Sequence, residues 1–222
     1  MNSENNLQNL KSEPVFIDLT HTFRDSMPVF PGKTPEPASL YRTAEILKHG
    51  YNNYVIEAGL HVGTHLDTPL HMIEGKTDLS VLPVNRLLGS GAVIDCRDQR
   101  TITFDIGTYE NTIRENDIVL FLTGHDSLFG DAKYFEVYPE LTDKCADFLV
   151  NKRVNMVGFD TPSPDKYPYS IHKKLFHADI LIMENLTNLK QLLNAKRIEI
   201  IALPLKVPAD SAPVRVIARA FF

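Results

Sequence analysis

Hydrophobic positions fall in short runs along this chain, and most of the runs have strand length. VFIDL (15–19), NYVIEAGL (53–60), AVIDC (92–96), DIVLFL (117–122), NMVGFD (155–160), ILIME (180–184), IEIIALPL (198–205) and VRVIARAFF (214–222) all read as strands. The β-branched content of the last two supports that reading. Between the first two lies MPVFPGKTPEP (27–37), whose prolines forbid regular structure. A helix is predicted to begin near Thr142, which can cap it, with Leu141, Cys145, Phe148 and Leu149 at helical spacing on a buried face. SIHKKLFHAD (170–179) reads as a short helix capped by Ser170, and LTNLKQLLN (186–194) as a helical stretch capped by Thr187. Strands and helices thus alternate in the second half, after a first half of strands and loops. The expected fold class is mixed α/β, with a mixed sheet and helices in two layers or more.

Length and composition narrow this to one domain. The chain has 222 residues, 43% of them hydrophobic and 23% charged, as in ordinary globular proteins. A single core can grow to roughly 250–300 residues before chains split. Residues 1–13 are polar and are expected to form a flexible tail, leaving 14–222 as the domain. The net charge of -5 argues against a basic nucleic-acid-binding surface. No apolar run reaches the roughly 18 residues of a membrane span, and the N-terminal stretch lacks the order of a signal peptide. The two cysteines, Cys96 and Cys145, lie outside any recognisable motif and read as small buried hydrophobes. These features fit a cytoplasmic protein with no membrane or nucleic-acid partner.

The candidate chemistry is concentrated in one place. Of eight histidines, three fall within HVGTHLDTPLH (61–71), with Asp67 among them. Imidazoles with a carboxylate are a common ligand set for a catalytic divalent ion. A helix would align His61 with His65, but Gly63 weakens it and Pro69 ends it. In an extended segment, positions 61, 65, 67 and 71 share parity. A straight strand would hold His61 and His65 roughly 13 Å apart, too far to meet easily, so the chain must bend, and Gly63 permits it. The competing reading is three surface histidines in a Pro-terminated loop.

HVGTHLDTPLH resembles the HxGTHxDxPxH signature of the metal-dependent cyclase-like hydrolases, and every fixed position is met. That family includes bacterial kynurenine formamidase (arylformamidase) and isatin hydrolase. Further stretches are similar in the expected order: FIDLTHTFRDSMPVFPG (16–32), LTGHD (122–126), VGFDTPSPD (157–165) and HKKLFHADILIMEN (172–185). The resemblance implies a swivelling β/β/α fold and a homodimer or homotetramer. It implies that His61, His65 and Asp67 ligate a first metal. His172 and Glu184, with Asp67 bridging, match the ligands of a second, and His71 matches the catalytic proton carrier. One or two ions per chain are expected, Zn or Mn, because the donors include no thiolate. Independently, a carboxylate at Glu184, ending an apolar strand, is costly to bury without a partner. The competing readings are a solvent-facing strand end for Glu184 and a partly exposed residue in the first turn of a helix for His172. His125 reads as a pocket or turn residue, and His21, His49 and His177 as structural or surface.

The implied activity is hydrolysis of an amide bond in a small aromatic substrate, as in arylformamidases. The alternatives are a lactam or lactone ring hydrolase of the same family and a non-catalytic metal-containing binding protein. The chain departs from the kynurenine formamidases in the first loop. Phe30 and Lys33 stand where those enzymes usually carry Trp and an acidic residue, and Met72 where Phe is common. Phe30 keeps an aromatic surface for stacking a substrate.

Overall fold

The computed structural model describes residues 13–32 and 37–222. The expected tail and Lys33 lie outside these, apart from Glu13. The described chain forms β1 (Val15–Asp18), β2 (Ala38–Ala44), α1 (Ile46–His49), β3 (Asn53–Ala58), β4 (His65–Asp67), β5 (Leu88–Asp95), β6 (Thr101–Ile102), α2 (Ile106–Tyr109), β7 (Ile118–Leu122), β8 (Glu140–Leu141), α3 (Asp143–Lys152), β9 (Met156–Phe159), α4 (Ser170–His177), β10 (Leu181–Glu184), β11 (Arg197–Pro204) and β12 (Ser211–Phe221). The mixed α/β expectation is borne out.

The main sheet runs β1-β12-β11-β5-β7-β9-β10-β4, and β4 pairs in addition with β12. β12 is long enough to be shared: Ser211–Pro213 pair with β4, while Ile217–Ala220 pair with β1 along the same edge. The ring from β12 through β10 back to β4 is therefore closed, and β1 lies outside it on β12. β5, β7, β9 and β10 are parallel, and β4 is antiparallel to both its neighbours.

The central strands are buried on both faces, as their continuous apolar runs require. In β7, Ile118, Leu120 and Leu122 enter one core with Leu66, Met183 and Ile200. Val119 and Phe121 enter a second core with Phe159, Ile182 and the apolar faces of α3 and α4, namely Cys145, Phe148, Leu149, Leu175 and Phe176. Both cysteines are free and buried.

Five local expectations are corrected. Thr142 occupies the position before α3, but its hydroxyl makes no capping bond. Tyr169, in the left-handed region at φ 60°, precedes α4 in place of a Ser170 cap. The stretch 186–194 is no α-helix: Leu186 bridges to Thr20 and only Leu189–Leu192 make a 3-10 turn. Thr187 does not cap it, because its hydroxyl donates to Asp126 Oδ2 at 2.9 Å. Finally, the 61–71 segment is not extended throughout. Only His65–Asp67 is strand; His61 sits in the preceding turn and His71 ends a 3-10 turn, Pro69–His71.

Candidate metal centre

Strand parity places the core of the site. Leu66 points into the first core, so His65 and Asp67 point to the opposite face. In the β10–β4 pairing, Glu184 lies across from His65 and Ile182 across from Asp67. Residues opposite each other share a face, so His65, Asp67 and Glu184 converge. α4 covers that face and contributes His172 while burying Ile171, Leu175 and Phe176.

The turn before β4 adds His61. Gly63 takes φ 70°, a left-handed conformation that favours glycine. Its carbonyl accepts from His65 Nδ1 at 2.8 Å and from Asn185 Nδ2 at 2.9 Å. Tyr134 donates to Asn185 Oδ1 at 2.9 Å and so fixes that side chain.

The donor atoms lie at ligand-like separations. His61 Nδ1 is 3.1 Å and His65 Nε2 3.5 Å from Asp67 Oδ1. His65 Nε2 is 3.3 Å from Glu184 Oε2, and His172 Nε2 is 3.1 Å from Glu184 Oε1. Donors about 2.1 Å from one tetrahedral ion stand about 3.4 Å from each other. Among the described residues, two groups of three have donor atoms within 4.8 Å of one another, His61–Asp67–His71 and His65–Asp67–Glu184, and Asp67 belongs to both.

The protonation pattern tests the fit to a cation. The Gly63 carbonyl can only accept, so the neutral His65 ring carries its proton on Nδ1 and turns a lone pair on Nε2 into the cluster. That Nε2 and Asp67 Oδ1 are buried without hydrogen-bond partners. Buried polar atoms left unpaired are costly, and a divalent ion between them removes the cost. His172 Nδ1 likewise meets Asp165 Oδ1 at 2.5 Å, which orients Nε2 toward Glu184. Burial disfavours imidazolium at His65, but Asp67 and Glu184 outweigh it and hold its pKa well above the ordinary value. The same balance, with Asp67 and Asp210 at His61 and with Asp165 and Glu184 at His172, brings each to about 9. Burial likewise raises the Asp67 and Glu184 carboxyls, yet the imidazoles around them hold both below their usual range. A site that draws protons this strongly is one that favours any positive charge. The residues fit a divalent metal.

The cluster floors a cavity of about 480 Å³, a size suited to a small organic molecule. Phe30, Phe129, Phe135 and Met72 form its apolar wall, with Tyr169 and Lys173 also lining it. Phe30 meets Phe135 edge-on, ring centres 5.8 Å apart.

The other histidines stay apart from the cavity lining. His125 is buried against Tyr134, whose carbonyl faces its Nε2 at 2.8 Å, so it serves the turn. His21 stacks on Phe129, and His49 and His177 are exposed. Sequence reasoning missed Asp165 and Asp210. Asp165 lay in a stretch already singled out; Asp210 sits in a Pro/Ala turn, where an acid is ordinarily a surface residue. Its carboxylate meets His61 Nε2 at 3.1 Å and His71 Nδ1 at 2.8 Å.

This mixed sheet with an imidazole–carboxylate floor defines a metal-site fold with known counterparts. Residues 17–166 match the model of the Cyclase family, described as "Putative cyclase", and the chain belongs to that family. It is 30% identical over 209 residues to a protein named kynurenine formamidase from Bacillus cereus, covering 92% of this chain and 97% of the relative. A protein of the same name from Bordetella avium is 29% identical, covering 91% and 96%. Among solved structures, isatin hydrolase A from Labrenzia aggregata, bound to benzyl benzoate, superposes with a TM-score of 0.85 at 25% identity, covering 98% of both chains. A potential metal-dependent hydrolase with cyclase activity matches with a TM-score of 0.73 at 29% identity, covering 93% of this chain and 98% of that one.

Proposed function

We propose that this chain is a metal-dependent hydrolase that cleaves an amide bond of a small aromatic substrate, as an arylformamidase does. The observation that carries the reading is the pair of unpartnered buried atoms, His65 Nε2 and Asp67 Oδ1, at the floor of an aromatic cavity. His61, His65 and Asp67 would hold one ion, and His172 and Glu184, with Asp67, a second. Imidazole and carboxylate donors suit Zn or Mn. When bound, such an ion polarises a carbonyl and lowers the pKa of water toward about 7.

The chain's own residues supply the rest. Phe30, Phe129 and Phe135 stack the aromatic part of the substrate and keep water from that side. His71, at the cavity wall, accepts a proton from the attacking water and returns it to the leaving nitrogen. A sequence of general base then general acid at one imidazole balances the proton without a covalent intermediate. The presence of such a residue beside the ligands is what a passive metal-binding protein would have no use for.

The second reading, opening of a lactam or lactone ring, is favoured by the likeness to isatin hydrolase A over nearly the whole of both chains. A panel of N-formyl aromatic amines and cyclic amides separates the two. Turnover should vanish with chelator and return with Zn or Mn. Metal-loaded protein inactive on the whole panel would leave the binding-protein reading.

The proposed setting is cytoplasmic, with a small-molecule substrate and no nucleic-acid or membrane partner. Among the described residues, no helix is long and apolar enough to cross a membrane. A homodimer or homotetramer is supported by the β2–β3 hairpin and α1, which expose Tyr41, Leu47, Tyr54 and Ile56. Sedimentation velocity giving a monomer would reject it.

A further inference from the structure

Asp210 is held by its backbone, which leaves its carboxylate free for another purpose. Its carbonyl accepts from the Thr68 amide at 2.8 Å and from the Thr68 hydroxyl at 3.0 Å. The Ala209 carbonyl accepts from Leu79 at 3.1 Å, and Ser211 pairs with Asp67 across β12 and β4. Asp210 and Ser211 are thus fastened to the segment that carries the signature histidines, and Ala209 to Leu79 beyond it. From there one oxygen, Oδ2, meets two rings: His61 Nε2 at 3.1 Å and His71 Nδ1 at 2.8 Å. The two rings are 4.3 Å apart, centre to centre.

A carboxylate only accepts, so both of these ring nitrogens carry hydrogen. That choice fixes the other two. In the neutral ring that a metal requires, His61 is left with Nδ1 bare, 3.1 Å from Asp67 Oδ1. His71 is left with Nε2 bare. We propose that Asp210 is a positioning residue that sets the tautomers of a metal ligand and of the proton carrier together, through a single carboxylate oxygen. It makes His61 Nδ1 the donor atom and His71 Nε2 the base. The inference rests on the reading of His71 as the proton carrier, and it extends that reading to a residue outside the signature. With an amide in place of the carboxylate, the –NH₂ can donate to His71 Nδ1 and reverse its tautomer, while the shape at the turn is kept.

The test compares wild type with Asp210→Asn and Asp210→Glu. Long-range ¹⁵N–¹H correlation of the imidazole nitrogens, in metal-free and zinc-loaded protein, reads the tautomers directly. Wild type should show His71 protonated at Nδ1 and His61 at Nε2 in the loaded state. Asp210→Asn should move the His71 proton to Nε2. It should weaken zinc affinity and lower kcat by about 10- to 100-fold each, the usual cost of losing a partner behind a ligand, with KM little changed. Asp210→Glu should recover part of both. A general loss of structure would instead lower the folding midpoint without moving the ring proton. Wild-type protein with His71 protonated at Nε2 overturns the inference, whatever the variants do. So does an Asp210→Asn protein with wild-type zinc affinity and kcat. If wild type turned over nothing on the substrate panel, the hydrolase reading would fail. The ring assignments and the zinc titration would still decide the role of Asp210.

Discussion

His61 and His71 meet the same carboxylate oxygen, yet the proposed chemistry asks different things of them. His61 lies with Nδ1 on Asp67, inside the buried cluster, whereas His71 ends a 3-10 turn at the cavity wall. Removing a ligand empties a site, whereas removing a proton carrier does not. His61→Ala is therefore expected to lose metal and activity together. His71→Ala should keep its metal and lose activity by about 100- to 10,000-fold. Elemental analysis beside turnover on the best substrate checks both. The geometry makes the comparison sharp, because His71 also has a donor atom within 4.8 Å of those of His61 and Asp67. A His71→Ala protein without metal would make His71 a ligand and end its role as shuttle. The four signature residues were legible because their spacing within one short segment is unusual. Asp165 and Asp210 were not, since each acts on a histidine brought to it only by the fold.

At the scale of elements, apolar runs identified β1, β3, β5, β7, β9, β10, β11 and β12 within a few residues. β4 was legible only as part of an extended 61–71 segment, because three residues, two of them polar, are too few to bound a strand. Its burial is dictated by the strands on either side. The stretch 186–194 misled in the opposite sense: leucines at helical spacing are buried, but Asn188 takes φ 61° and breaks the helix. Close packing between elements supplies a stability prediction. In β9, a Cβ at Gly158 would lie 2.6 Å from both Leu120 Cδ2 and Leu186 Cδ1. Both neighbours are themselves fully buried in the first core, with little room to move. Gly158→Ala should cost about 1–3 kcal/mol through overpacking, read as a lower denaturation midpoint with unchanged slope. A midpoint equal to wild type would mean the core relaxes around the methyl freely.

For the whole molecule, the site and the ring closure are one feature. β4 is the strand through which the sheet closes, and it carries His65 and Asp67, while Glu184 comes from β10 and His172 from α4. An ion held by these residues cross-links the closing strand to its neighbour and to the helix above. Metal removal should therefore lower the thermal midpoint of the entire fold. At free metal a thousand times Kd, binding stabilises by about 4 kcal/mol, or roughly 8–16 °C for a chain of this size. The pH dependence differs between the two forms. Without metal, His61 and His172 have pKa values of about 9, above the ordinary value of about 6.5. Their ion pairs contribute fully below about 6.5 and are lost as pH rises through about 9. Metal must displace those protons, so its affinity rises over the same window. The gap in midpoint between zinc-loaded and stripped protein should accordingly widen from pH 6.5 to 9. Differential scanning calorimetry of both forms across that range measures it, with His61→Ala as the control in which added zinc should shift little. A gap that stays constant or narrows with pH would show that zinc does not displace protons from these imidazoles, and would remove them as the ligands.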